Sequence, residues 1–202
     1  MKIYRSIITK YWGLWLQWVL VTCGGFFVSL LFVEVGERSD IGVLEGAVGG
    51  GAIALAQALV LRRHLPLARL WILATIVSWV VIGGSGIGAI GWVAPTTKLF
   101  AVRVKFGFFD GAMVGALLGL MQWFVLRQQL ARASVWILTN AASWAIGLAT
   151  GWVAGGILRV SAGIFLGEIV GLALTWVVVA AITGVALICL LRFSATKSLP
   201  GY

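Results

Sequence analysis

Long charge-free stretches alternate along the chain with short clusters of ionic residues. Tyr11 to Val33, Leu70 to Thr97, Ala133 to Leu158 and Ile169 to Leu191 hold no charge, and each exceeds the roughly 18–20 residues a helix needs to span a bilayer. Two shorter uncharged runs of 16 residues, Gly46 to Leu61 and Gly111 to Leu126, lie between Glu45 and Arg62 and between Asp110 and Arg127. At about 1.5 Å per residue each covers ~24 Å, so the flanking acids fall at or just inside the hydrocarbon edge. The pattern predicts an all-α integral membrane protein with six transmembrane helices in a single domain over residues 1–202. The first run has no short apolar core followed by a small-residue cleavage site, and reaches Glu34 and Glu37 intact. It therefore reads as a retained span and not a signal peptide.

The pattern also repeats. At an offset of 65, residues 45–79 match residues 110–144 at 15 of 35 positions, among them Gln57/Gln122, Arg62/Arg127, Trp71/Trp136 and Trp79/Trp144. A further step of the same offset sets Gly184 under Gly119 and Leu191-Arg192 under Leu126-Arg127. This predicts three helical hairpins, roughly 11–63, 69–128 and 133–192. Because each hairpin crosses twice, the units are parallel repeats about an axis along the membrane normal.

Glycines spaced by four form the triplets Gly42/Gly46/Gly50, Gly111/Gly115/Gly119, Gly147/Gly151/Gly155 and Gly163/Gly167/Gly171. Each lays a flat stripe along one helix face, so the expected packing is a glycine zipper in which backbones approach closely. Pro66, Pro95 and Pro200 fall outside the spans, while Gly24-Gly25 and Gly83-Gly84 are candidate soft points.

Composition sharpens the class. Hydrophobic residues make up 61% of the chain and charged residues 10%, against about 25% charged in soluble domains. The net charge of +9 sits at helix ends and not in a basic, aromatic-interleaved polar segment, which argues against a nucleic-acid partner. Lys2, Arg5, Lys10, Arg62, Arg63, Arg69, Arg127, Arg132, Arg192 and Lys197 fall on one side, against Arg38, Lys98, Arg103, Lys105 and Arg159 on the other. The excess predicts cytoplasmic termini in an inner, plasma or thylakoid membrane. All six acids, Glu34, Glu37, Asp40, Glu45, Asp110 and Glu168, lie toward the opposite side. Cys23 and Cys189 fall at different depths and are not expected to bridge.

Few residues carry candidate chemistry. Gly83-Gly84-Ser85-Gly86 resembles the nucleophile motif of rhomboid proteases, yet no histidine follows it. His64, in a loop about 21 Å away along the helix axis, is out of hydrogen-bond reach. A lone histidine without a neighbouring cysteine or carboxylate builds no metal centre. Glu45, Asp110 and Glu168 sit near the starts of even-numbered helices, where the dipole favours negative charge and where a proton- or cation-handling ring would also place them. Gln57, Gln122 and Asn140 are apolar-span amides suited to interhelical hydrogen bonds, or to ligating chlorophyll magnesium. Trp12, Trp15, Trp71 and Trp136 are expected to anchor at the interfaces. Ala94 to Phe109, with Lys98, Arg103 and Lys105 among Phe100, Phe106 and Phe108, reads as an amphipathic surface segment.

The second copy carries Gly115, Gly119, Leu120, Gln122, Trp123, Val125, Leu126 and Arg127, then Ala133, Trp136, Ile137 and Asn140. This pattern, G-x-x-x-G-L-x-Q-W-x-V-L-R followed by A-x-x-W-I-x-x-N, resembles a class of multi-helix membrane proteins frequent in cyanobacteria and Chloroflexi. The first copy departs from it at Ala58 and Thr75. The resemblance implies a multi-pass protein, in a photosynthetic membrane where the source is cyanobacterial, and brings no activity with it. The expectation is a non-enzymatic accessory, assembly or anchoring subunit of a larger membrane complex, with lipid and other membrane proteins as partners. Two alternatives stand beside it. One is a small transporter or channel for a proton, cation or small solute built on Glu45, Asp110 and Glu168. The other is a pigment-binding subunit holding chlorophyll or carotenoid near Gln57, Gln122 or Glu168, although no cofactor is required.

Overall fold

In the computed structural model the described residues are 2–38, 41–86 and 90–197, with side chains described over 11–38, 41–86 and 90–194. Asp40, Pro200 and the side chains of Lys2, Arg5, Lys10 and Lys197 lie outside them. Six helices follow one another: α1 (Lys2–Ser29), α2 (Gly42–Leu61), α3 (Ala68–Gly84), α4 (Phe100–Leu126), α5 (Val135–Ala162) and α6 (Leu166–Lys197). All but α3 are long and apolar enough to cross a membrane; α3 has 17 residues. Their outer walls carry Leu20, Leu31, Leu44, Leu73, Leu138 and Val160 exposed, a surface that suits hydrocarbon and not water.

Each helix packs on its two neighbours in the chain, and α1 packs on α6. The six therefore close into a ring in chain order. At one end of the ring Arg192 lies 4.6 Å over the Tyr11 ring and Arg132 lies 5.0 Å over Phe193. That end, where α1 begins and α6 finishes, is called the terminal face, and the other the distal face.

Glycine governs how closely α4, α5 and α6 approach. A methyl group on Gly111 would collide with the Trp144 carbonyl, and one on Gly115 with the Asn140 carbonyl. Gly119 lies against Ile137, and Gly107, one turn ahead of the predicted stripe, against Ala149. On the next contact Gly147 and Gly151 meet Thr175, while Gly155 and Gly171 meet each other's helix backbone. Gly46 and Gly50 lie under Trp79, and Gly167 under Leu158 and Arg159. Gly42 and Gly163 are different. Both have left-handed backbones, φ +77° and +70°, with open space where a Cβ would stand; Gly163 terminates α5 and lies before α6. Of the predicted soft points, Gly25 packs on Ile53, Gly83 on the Gly42 carbonyl and Gly84 on Val43, while Gly24 faces open space.

The interior of the ring is filled by indoles in two layers. Trp18, Trp71 and Trp136 form a triangle in the terminal half, with centroids 5.6–6.3 Å apart and edge-to-face geometry. Trp79, Trp92, Trp144 and Trp176, with Phe26, fill the distal half. Trp71 and Trp136 are thus central and not interfacial anchors, each 1% exposed. Among the four tryptophans expected at interfaces, Trp12 faces outward, while Trp15 reaches the Ala181 carbonyl.

The charge-free run Leu70 to Thr97 does not form one span. The helix stops at Gly84, followed by Gly86 at φ +73°, and Ile90 to Ala94 turn back into the ring, fully buried. Trp92 Nε1 donates to Ser29 Oγ at 2.7 Å, Trp176 Nε1 to the Gly91 carbonyl, and Trp152 Nε1 to the Val93 carbonyl. The Ala94 amide donates to Gly36 O, where the segment meets the α1–α2 loop. This plug has non-helical backbone, which an apolar bundle tolerates only when protein groups satisfy its polar atoms. Here indole N–H groups do so.

Candidate functional site

Besides serines and a threonine bonded to backbone carbonyls or to an indole, the buried polar residues form two side-chain clusters, one in each half of the ring. In the terminal half, Gln57 on α2 accepts from Trp71 Nε1 on α3 at 3.0 Å and donates through Nε2 to Thr22 Oγ1 on α1 at 3.1 Å. Gln122 on α4 accepts from Trp136 Nε1 on α5 at 2.9 Å and donates to Thr75 Oγ1 on α3 at 3.0 Å. Each glutamine thereby ties its helix to both ring neighbours. Where α6 meets α1, Trp18 Nε1 donates to Thr183 Oγ1 at 3.1 Å. Asn140 donates to the Trp136 carbonyl of its own helix. All of these but Thr22 line a central cavity of about 20 Å³, room for one water molecule. No pigment ring fits there, and the two glutamine amides are engaged by protein on both atoms.

The distal half holds charge. Arg103 on α4 is 2% exposed and Glu168 on α6 also 2%. They form a bidentate pair, Nη2 to Oε1 at 2.7 Å and Nη1 to Oε2 at 2.9 Å. The remaining donors of Arg103 reach carbonyls: Nε to Thr97, Nη1 to Trp152 and Nη2 to Pro95. All five N–H groups of the guanidinium are used. Gly156 makes room, since a Cβ there would stand 2.9 Å from the guanidinium carbon. The same arginine pins the plug, α5 and α6 to α4.

The pair is not isolated. Arg159 Nη1 stands 3.6 Å from Glu168 Oε1 and forms an ion pair with Glu37 of the α1–α2 loop. Above this chain two cavities open on the distal face. One, of about 280 Å³, is lined by Glu37, Lys98, Phe100, Arg103, Arg159 and Val160, among others. The other, of about 410 Å³, includes Glu37, Arg38, Arg103, Phe106, Asp110 and Trp152.

The three carboxylates singled out from the sequence thus have separate surroundings. Glu168 is buried under Arg103, and Asp110 lines the larger cavity. Glu45 has its Oε2 3.2 Å from Arg38 Nη1 at the surface, an ion pair without a well-directed hydrogen bond. The sequence marks Arg159 and Glu37 only by the side of the membrane on which their charge falls, and Arg103 in addition as part of an amphipathic surface segment. The segment expected to lie on the surface, Ala94 to Phe109, is the end of the plug and the first turns of α4, and Arg103 points inward from it. One signal marks the place: Arg38, Arg103 and Glu168 stand 65 residues apart. At the repeat offset they share one column, in which the third residue reverses the charge of the second.

Ser85 donates to Ile82 O within its own turn, and His64 is exposed in the α2–α3 loop. Among the described residues no cluster of three histidine, cysteine or acidic side chains is placed to hold a metal. Comparison with known protein families, with characterised proteins and with solved structures yields no match.

Proposed function

We propose that the protein is a non-enzymatic membrane subunit that anchors or helps assemble a larger membrane complex. The observation that carries this reading is the closed interior. A ring packed with indoles, keyed between neighbours by glutamine, and left with about 20 Å³ at its centre is a rigid body without a route along its axis. Its working surfaces are then its outer walls and its two faces. In this reading α3 and the plug together make the sixth crossing, the three hairpins α1–α2, α3–α4 and α5–α6 are parallel repeats, and the glycine stripes are the zipper between them. The excess of Lys and Arg on the terminal face puts both termini in the cytoplasm. The resemblance to cyanobacterial proteins favours a photosynthetic partner. The test is purification of the full chain from its native membrane in mild detergent, with mass determined by light scattering. A stoichiometric membrane partner is expected, and a free monomer in every detergent overturns the reading.

A second reading has its own observation. A buried ionic pair within apolar helices is costly and marks ion or solute handling in many membrane proteins, and Arg103–Glu168 lies beneath two open cavities. In this reading the distal face takes up a proton, cation or small solute, with Asp110 in the vestibule wall. Proteoliposomes loaded with a pH-sensitive dye test it: flux that Asp110→Asn abolishes supports transport, and absence of flux rejects it.

A further inference from the structure

The 280 Å³ cavity differs in charge from everything else in the apolar part of the molecule. Lys98, Arg103 and Arg159 line it, against Glu37 as its acid. Its volume is at the lower end for ligand pockets, about 300–1,000 Å³. Arg103 has no donor left to offer, so it contributes the wall and not a contact. The other two cations are in a different condition. Lys98 is exposed at the mouth and makes no hydrogen bond or ion pair with a described residue. Arg159 is about one-third exposed; its Nη1 pairs with Glu37 and stands 3.6 Å from Glu168, and its guanidinium lies 5.4 Å over the Phe165 ring. This leaves the Nε and Nη2 edge of its fork without a hydrogen bond to a described residue, the geometry that binds phosphate in two parallel hydrogen bonds. Phe100 and Val160 form an apolar border that is itself exposed, next to the lipid-facing outer wall.

We propose that this cavity is a binding site for a phosphate-type anion, held by Lys98 and Arg159, with the Glu37 carboxylate occupying the arginine until the ligand displaces it. The anion comes either from a phospholipid headgroup, whose chains would pass over Phe100 and Val160, or from a phosphate free in solution. The site stands apart from the anchoring reading, because binding to the isolated chain does not depend on any partner complex.

Calorimetric titration of the full-length protein in dodecyl maltoside separates the two sources. One arm adds inorganic phosphate; the other adds mixed micelles of dioleoylphosphatidylglycerol, with dioleoylphosphatidylcholine as the comparison lipid. The expected result is saturable binding in one arm, weakened about tenfold by Lys98→Gln, abolished by Lys98→Gln with Arg159→Gln, and strengthened several-fold by Glu37→Gln. Arg62→Gln on the terminal face leaves it unchanged. Phosphatidylglycerol binding without phosphate binding assigns the headgroup; phosphate binding assigns the soluble ion. Absence of saturable binding in both arms overturns the proposal. So does binding to which Lys98→Gln and Glu37→Gln make no difference. Glu37→Gln removes a surface ion pair without touching the Arg103–Glu168 pair, so it keeps the test decisive if the arginine variant folds poorly.

Discussion

The terminal and distal halves of the ring face the same problem, polar atoms inside an apolar bundle; both use neutral indole N–H groups, but only the distal half adds a buried charge pair. The terminal half uses neutral groups. Gln57 and Gln122 each accept from a tryptophan 14 residues further on and donate to a threonine of the preceding helix, so each bond joins adjacent helices, although Thr22 and Thr75 do not themselves share the 65-residue offset. The distal half uses charge at one place, where Arg103 and Glu168 bind each other and the arginine also holds three carbonyls of the plug and α5. Neutral interhelical bonds are cheap to bury and worth roughly 0.6–2 kcal/mol each, so they can recur without penalty. A buried ion pair has a desolvation cost that its attraction only offsets when geometry is excellent and the remaining donors are satisfied. Among the described residues the fold makes it once, where a non-helical segment supplies the extra acceptors.

The largest expected effect lies in the distal half. Glu168→Ala leaves a guanidinium buried without its counter-charge and should cost about 3–5 kcal/mol in stability, read as loss of the folding transition in a detergent melt. Replacing both partners, Arg103→Met with Glu168→Leu, removes the charge altogether and should cost less than Glu168→Ala alone. Recovery stays partial, because the carbonyls of Pro95, Thr97 and Trp152 lose their donor. A double variant no more stable than the single one would mean that the carbonyl contacts, and not the charge, hold the plug. Next comes the backbone contact between α5 and α6. Gly151→Ala pushes a methyl into the Thr175 hydroxyl and the Gly171 carbonyl, with an expected loss of about 1–3 kcal/mol. Gly163→Ala introduces no clash and costs only the strain of a left-handed backbone, roughly 1 kcal/mol, so the same melts should rank it clearly milder.

How much of this was legible in the sequence follows from how local each feature is. Helix number and the helix ends at Leu61 and Leu126 could be read because charge marks where an apolar run stops, whereas the end of α5 at Ala162 could not, since Gly163 reads as part of a helical stripe and is instead the left-handed cap of α5. Gln57 and Gln122 could be named as interhelical donors, but their partners could not, since Trp71 and Trp136 sit near predicted interfaces, where indoles usually anchor. The plug was hidden because Ile90 to Ala94 is as apolar as a span; only the run Gly83-Gly84-Ser85-Gly86 and Pro95 mark it as non-helical. Arg103 was hidden for the converse reason. An arginine between two lysines and among phenylalanines reads as amphipathic surface until α6 places Glu168 opposite it; the 65-residue offset aligns the two residues but does not by itself say that they touch.

The smaller effects test whether the terminal half is built of equivalent units. Gln122→Leu deprives the Trp136 N–H and the Thr75 hydroxyl of their partner, and Gln57→Leu does the same to Trp71 and Thr22. Each should lose about 1–3 kcal/mol, and the two losses should agree within ~0.5 kcal/mol; a larger gap breaks the equivalence on which the repeat reading rests. Thr183→Val, which removes a single acceptor from Trp18, should fall below both. At the bottom of the scale, Arg38→Ala opens the exposed pair with Glu45 and should change stability by under ~1 kcal/mol. Raising ionic strength should erase that difference, because exposed charges are screened, while the loss from Glu168→Ala persists at any salt concentration. If the Arg38 effect survived high salt, the distal surface would be better shielded from solvent than its exposure implies, and the charges of the distal half would act as one network reaching from Glu45 to Glu168.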